Sequence, residues 1–373
     1  MSHILQNSFT RALKLKYPIV QAPCAGHTGV ELITAVSNAG GLGSLGAGMM
    51  PVDLLRKTIR DIHNKTSNPF AVNLFCRPAH IVSEADLQKH CPGVDDTLDA
   101  IRSELNIPIP AEYKLRSPPL EDQLAVILEE RVPVVSFTFG VLPDHFRDQL
   151  WAAGTYLIGT ATTLQEALML AGLDPSSPTR KADAIVAQGL EAGGHRGSFL
   201  ADGQQLDRTQ LVKSIKQHVS LPILAAGGIS TGTDVSHVLQ KEEADAAVIG
   251  TLFMLATEST TPKAHREHMI HAEKKGLEPT RITTAITGKH VRSYPNELMK
   301  RIEKAAEESD VQVPEYSIHS SKTKDIAEYA TKHHLADYML LLAGANASEA
   351  VKYTKQGTLS AKQIIDKIVS EIN

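Results

Sequence analysis

The sequence predicts an α/β fold: a (β/α)8 TIM barrel with a second, smaller and mostly helical cap domain. Three observations predict it. Short apolar runs alternate with amphipathic runs over the first ~250 residues, the pattern of a parallel sheet with crossover helices. Between Leu221 and Thr251, two such runs end in glycine and lead into helix-like segments: Leu221-Pro-Ile-Leu-Ala-Ala-Gly-Gly-Ile229 and Ala244-Asp-Ala-Ala-Val-Ile-Gly-Thr251. After Thr257 the alternation stops and charged helical segments follow. Turns without side chains let backbone N–H groups approach a phosphate. A barrel of this class holds a phosphate after its seventh and eighth strands.

The elements follow in order. Tyr17–Ala22 reads as a buried strand and Glu31–Asn38 as a short helix. The glycine-rich run Gly40–Gly46 contains the segment Gly41–Leu45, which is needed to complete eight strands. Pro51–His63 reads as a helix and Phe70–Phe75 as a strand. From Cys76 to Pro119 periodicity is lost in a stretch rich in Pro, Asp and His, read as an inserted loop region (76–119) over one end of the barrel. Helix Glu121–Glu130, strand Pro133–Phe137, helix Pro143–Ala153 and strand Thr155–Gly159 come next. Helix Leu164–Ala171, strand Ala184–Gln188, helix Leu206–Gln217, strand Ile223–Ala226, helix Gly232–Gln240 and strand Ala246–Ile249 complete the barrel (1–257). A cap (258–335) has helices at Thr260–Lys275 and Asn296–Glu308 and a hairpin around Arg281–Ser293. In the last segment (336–373), apolar Tyr338–Ala347 returns to the barrel and Ser360–Ile372 is an amphipathic helix. A doubly wound open sheet remains compatible with the alternation alone.

Composition narrows the function classes. Hydrophobic residues are 42% and charged residues 21% of the chain, enough for a large core and too apolar for disorder. The net charge of −4 and the lack of a basic stripe argue against nucleic acid as a partner. Cys24, Cys76 and Cys91 show no CxxC spacing, which suggests a reducing compartment. No apolar run approaches the ~20 residues of a membrane span, and Met1–Lys16 lacks a signal-peptide core. The expectation is a cytoplasmic protein without a membrane partner, monomeric or homodimeric. No HExxH or Cys/His cluster argues for a metal.

The chemistry gathers around Asp183-Ala-Ile-Val-Ala-Gln-Gly-Leu-Glu-Ala-Gly-Gly-His-Arg-Gly197. A buried strand delivers Gln188 at its C-terminal end, the catalytic face of a barrel. A flexible loop then presents His195 between Gly194 and Arg196, so that the imidazole can approach a ligand. A histidine near neutral pKa suits proton abstraction. Asn73 places an amide inside an apolar strand, where it needs a partner. Gly227, Gly228, Gly250 and Thr251 form the phosphate group, with Thr251 adding a hydroxyl.

At these residues the chain resembles the nitronate monooxygenases, formerly called 2-nitropropane dioxygenases. The resemblance rests on Tyr17-Pro-Ile-Val-Gln-Ala-Pro-Cys-Ala-Gly26, Ala35-Val-Ser-Asn-Ala-Gly-Gly-Leu-Gly43, Val135-Ser-Phe-Thr-Phe-Gly-Val-Leu-Pro143, Ala192-Gly-Gly-His-Arg-Gly197, Ala225-Ala-Gly-Gly-Ile229 and Leu342-Ala-Gly-Ala-Asn346. It implies a metal-free, FMN-dependent enzyme that oxidises alkyl nitronates with O2 to a carbonyl compound and nitrite. It makes His195 the base that takes the α-proton of a neutral nitroalkane. It sets Ala22, Pro23, Cys24 and Ala25 against the isoalloxazine, Asn73 and Gln188 near the ring or ribityl chain, and Gly193 and Gly194 close to the cofactor. Propionate 3-nitronate is a substrate the resemblance suggests. Relatives often have Met at Cys24, His at Thr138 and Gln at Asn346; Cys24 is read as an inert small residue. His27 follows Gly26 near the flavin, but its place on the first loop argues against catalysis. His80, His90, His290, His333 and His334 are read as surface residues. Two competing readings stay open: an FMN-dependent NAD(P)H reductase of enoyl thioesters or quinones, and a non-enzymatic flavin-storing or interaction protein.

Overall fold

A computed structural model describes residues 2–76, 82–115, 118–200 and 206–372. The strands in chain order are β1 (Ile19–Gln21), β2 (Gly43–Gly46), β3 (Phe70–Phe75), β4 (Val134–Thr138), β5 (Tyr156–Ala161), β6 (Ala184–Gln188), β7 (Gly194–His195), β8 (Ile223–Ala226), β9 (Ala246–Ile249), β10 (Arg281–Thr283) and β11 (Val291–Ser293). All but β7, β10 and β11 form one parallel sheet in the order β1-β9-β8-β6-β5-β4-β3-β2. Its two edge strands meet through a parallel bridge between Val20 and Leu42. Two backbone bonds of 2.9 Å reinforce the seam, Gln21 N to Leu42 O and Leu42 N to Ile19 O. The buried Gln21 side chain completes it, accepting from Ser44 N at 2.9 Å and donating to Ser44 O at 3.1 Å. The sheet is therefore the barrel expected from the sequence, not the open doubly wound alternative.

Side chains alternate along each strand, so every second residue points into the barrel. Val20, Leu42, Ala71, Val134, Ile158, Ala184, Leu224, Ala246 and Val248 fill the interior as one apolar cluster. Phe9 and Leu13, from the N-terminal helix Ser8–Leu13, join that cluster and plug the N-terminal end. Asn7 caps this helix, its side chain accepting from Thr10 N at 3.0 Å. The opposite faces of the strands pack on the outer helices through the largest cluster, which includes Ile33, Leu55, Leu124, Leu170, Leu211 and Val235. The C-terminal helix Ala361–Glu371 packs between Gly232–Gln240 and Val30–Asn38, so the last helix of the ring comes from the end of the chain. Ser360 and Gln363 close its first turn as a capping box.

One element-level expectation is corrected. The stretch from Cys76 to Pro119 is not loop throughout: it carries the helices Glu84–Gln88 and Val94–Leu105. Val94, Leu98 and Ile101 share a cluster with Ala285, Ile286, Leu298 and Ile302 of the following region. Buried charges tie the same parts together. Arg102 Nε lies 2.8 Å from Asp325, and Lys322 Nζ lies 2.5 Å from Asp95. A buried pair adds little net stability but resists being pulled apart, because either charge left alone is costly. The hairpin β10–β11 forms as expected, antiparallel with Arg281 opposite Ser293. Among the described residues no helix is long and apolar enough to cross a membrane.

Candidate active site

The inward positions change character along the strands. On β3 they run Ala71, Asn73, Phe75; on β4 Val134, Ser136, Thr138; on β6 Ala184, Val186, Gln188. The floor is apolar, Asn73, Ser136, Thr138 and Gln188 gather toward the C-terminal rim beside Phe75, and above the rim opens a cavity of about 540 Å³. The sequence-predicted residues all line it. Ala22, Pro23, Cys24 and Ala25 follow β1, Asn73 lies on β3 and Gln188 ends β6. Gly193, Gly194 and His195 come from the next loop, Gly227 and Gly228 follow β8, and Gly250 and Thr251 follow β9.

The two glycine turns leave donors open. Among the described residues the N–H groups of Gly228, Ile229, Gly250 and Thr251 make no hydrogen bond. Gly227 and Gly228 have φ of 122° and 65°, left-handed values that disfavour a side chain. The return segment braces both turns. Asn346 Nδ2 donates to Gly228 O at 2.7 Å, and Gly344 N donates to Thr251 Oγ1 at 2.9 Å. Gly193 lies flat on this segment, with no room for a Cβ against Ala343 and Gly344.

The histidine loop is held from two sides. Gln188 Nε2 donates to His195 O at 3.0 Å, and Gln188 Oε1 accepts from Gly197 N at 2.7 Å. Its amide thus spans the loop as well as lining the cavity. Arg196, which is buried, donates to Gln188 O at 3.0 Å and Gly189 O at 2.5 Å. From the segment after the barrel, β11 pairs with β7, setting Val291 opposite His195. Thr287 Oγ1 stands 2.9 Å from His195 Nε2. Phe139 and Tyr316 meet the imidazole edge-on, at centroid distances of 5.9 and 5.2 Å. Asn73 finds its partner within the protein, donating to Ser136 Oγ at 3.0 Å.

Cys24 is partly buried and lines the cavity, and burial pushes its thiol up to about 12, which favours the protonated form. Burial lowers His27 to about 4, so it is neutral at pH 7; it lines the cavity and packs edge-on against His265. Thr138 lines the cavity, its hydroxyl 3.4 Å from Gly197 O. His90, His333 and His334 are exposed as expected, and His80 lies outside the described residues. His290 departs from the surface reading: it is half-buried, and its carbonyl accepts from Arg196 N at 2.8 Å. Among the described residues no His, Cys, Asp and Glu group could hold a metal.

Sequence reasoning did not single out Ser230, Phe139 and Tyr316, which also line the cavity. Ser230 sits one residue past the Gly-Gly-Ile turn, which was a usable signal. Phe139 has φ of 68°, a left-handed conformation costly for an aromatic residue and not readable from its name. Tyr316 opens the helix Tyr316–Lys322, far along the chain, and only the tertiary fold brings it to His195.

A sequence profile described as nitronate monooxygenase matches residues 6–371. A probable nitronate monooxygenase of Staphylococcus haemolyticus is 31% identical over 98% of this chain and 97% of its own length. Its counterpart in Staphylococcus aureus strain Newman is 33% identical over 99% and 98%. Among solved structures, nitroalkane oxidase from Streptomyces ansochromogenes superposes with a TM-score of 0.82 at 30% identity, covering 98% of both chains. FabK from Thermotoga maritima gives 0.74 at 25% identity, covering 98% of this chain and 96% of its own. Profile, relatives and barrel agree: the chain belongs to the nitronate monooxygenase family and is an oxidoreductase.

Proposed function

We propose that this protein oxidises alkyl nitronates, and neutral nitroalkanes through His195, using FMN and O2 and releasing a carbonyl compound and nitrite. The observation that carries the reading is the joint opening of two donor-rich glycine turns and one histidine loop onto a single cavity. The residues fit flavin mononucleotide. Open N–H groups at Gly228, Ile229, Gly250 and Thr251 suit a phosphate, and the small side chains of Ala22 and Ala25 leave room for a flat ring beside Cys24. Bound there, FMN would accept the substrate's electrons and pass them to O2.

The chain's own residues do the rest. His195 takes the α-proton of a neutral nitroalkane at its imidazole, and Thr287 with the β7–β11 pairing fixes the ring. For an anionic nitronate no proton leaves, and the same imidazole orients the substrate. Phe139 and Tyr316 exclude water on the side of the imidazole they cover. In this reading 1–257 is the flavin barrel, 258–335 the substrate cap joined by the insertion 76–119, and 336–373 the return that braces the phosphate turns.

The reductase alternative needs a grip on a dinucleotide phosphate. Among the described residues lining the cavity none is Lys or Arg. The test is product analysis under air. Ethyl nitronate should consume O2 and yield nitrite and acetaldehyde, while NADPH is not consumed. Turnover of NADPH with a quinone or enoyl thioester, and none of nitronate, would sink the proposal.

A further inference from the structure

Arg208 reaches the first glycine turn from behind. It opens the helix Arg208–Lys216, which Asp207 caps, and it is not among the residues that line the cavity. Gly189 has no room for a Cβ against the Arg208 backbone, so this helix starts hard against the end of β6. The guanidinium spans two partners. Nη1 donates to Gly227 O. Nη2 and Nε donate to the buried Glu242 carboxylate at 2.8 and 3.1 Å, a fork that a single ammonium cannot reproduce.

Peptide geometry turns the first contact toward the cavity. The bond between Gly227 and Gly228 is trans, so its C=O and N–H point opposite ways. Holding Gly227 O against Arg208 therefore aims the Gly228 N–H away from Arg208, and Gly228 lines the cavity. A hydrogen bond to the carbonyl also polarises the peptide and strengthens its N–H as a donor. A charged donor does this more than a neutral one. The next carbonyl, Gly228 O, is held by the neutral amide of Asn346.

Two carboxylates stand by the same turn. Glu191 accepts from Arg208 N at 3.0 Å, and its Cβ lies 3.2 Å from where a Gly228 side chain would start. Glu191 and Glu242 would repel an anion on the turn. Arg208 bonds to both, through its backbone N–H and its guanidinium, and supplies an offsetting positive charge.

Resting on the FMN reading above, we infer that Arg208 is a positioning residue for the cofactor phosphate. Through the Gly227 carbonyl it orients and strengthens the Gly228 donor, and it offsets the two carboxylates beside the turn. It acts on the phosphate and not on the flavin ring.

The test is titration of the apoprotein with FMN and with riboflavin, which lacks the phosphate, followed by quenching of flavin fluorescence. The chains compared are wild type, Glu242→Gln, Arg208→Gln combined with Glu242→Gln, and Arg208→Lys. The combined substitution avoids leaving Glu242 buried without its cation. Relative to Glu242→Gln, it should weaken FMN binding about ten- to a hundredfold and change riboflavin binding by less than about threefold. Arg208→Lys keeps the ion pair but loses the fork, and should weaken FMN alone by a smaller factor. Equal weakening of both flavins, an unchanged FMN-to-riboflavin ratio in both Arg208 variants, or wild-type protein that binds riboflavin as tightly as FMN overturns the inference. If the wild-type apoprotein binds neither flavin, the cofactor reading itself fails and the inference falls with it.

Discussion

At the N-terminal end of the barrel the inward positions are Val20, Leu42, Ala71 and Val134; the first three form the floor of the cavity, and Phe9 and Leu13 close the cluster from below. Two residues further along the same strands they are Ala22, Ser44, Asn73 and Ser136, and these line the open cavity. The strand geometry is the same at both ends, and only side-chain chemistry differs. The plugged end buries apolar area and so contributes stability. Among the described residues the open end leaves the N–H groups of both glycine turns unpaired and holds Phe139 in a costly backbone conformation, so on the proposed function it gives up some stability for binding. Mutations at the two ends should therefore fail in different ways.

The largest effect is expected at the open end. His195→Asn should lower neutral nitroalkane oxidation by about 10²–10⁴-fold. Nitronate turnover should fall less, and the urea midpoint and flavin content should stay near wild type. Equal losses on both substrates would show that His195 positions the substrate rather than taking its proton. At the plugged end, Phe9→Ala should cost about 3–5 kcal/mol of stability by urea unfolding, because a fully buried ring leaves a cavity. The protein that remains folded should keep its kcat. A change in kcat without loss of stability would erase the division between the ends.

A smaller effect separates the ends by pH. His27, neighbour to His265 and 3.2 Å from the Thr261 hydroxyl, is lowered to about 4 by burial. Its native pKa lies below the unfolded value of 6.5, so the unfolded chain takes up a proton that the native state refuses. The stability this neutral form contributes is complete above pH 6.5 and is lost as pH falls from 6.5 toward 4. At pH 5 the loss is about 2 kcal/mol for this one histidine. His319, also buried and lowered to about 4, acts in the same direction. His27→Gln should flatten the dependence of the urea midpoint on pH between 5 and 7. Phe9→Ala should shift it in parallel, since the cluster around Phe9 is apolar.

The barrel was legible because its signals are local. Each strand is a short apolar run, and the turns after β8 and β9 announce themselves by glycine. The loop of His195 was legible for the same reason. The two helices of the insertion were missed although Val94, Leu98, Ile101 and Leu105 repeat at helical spacing; Pro, Asp and His around them hid the pattern. The strand β7 could not be read at all. Two residues form a strand only because β11 lies beside them. Phe139 and Tyr316 were invisible for a related cause, since their places depend on a strained turn and on a distant segment folding back. Gln188 was found, but its hold on the histidine loop was not, because an amide at a strand end has many partners within reach.

The absorption spectrum of the purified protein, recorded anaerobically before and after adding ethyl nitronate, tests the flavin and its substrate together. A flavin spectrum that bleaches on mixing with the nitronate, and not with NADPH, is the expected result. A colourless protein that takes up no added FMN, or a flavin bleached by NADPH and indifferent to nitronates, would contradict it.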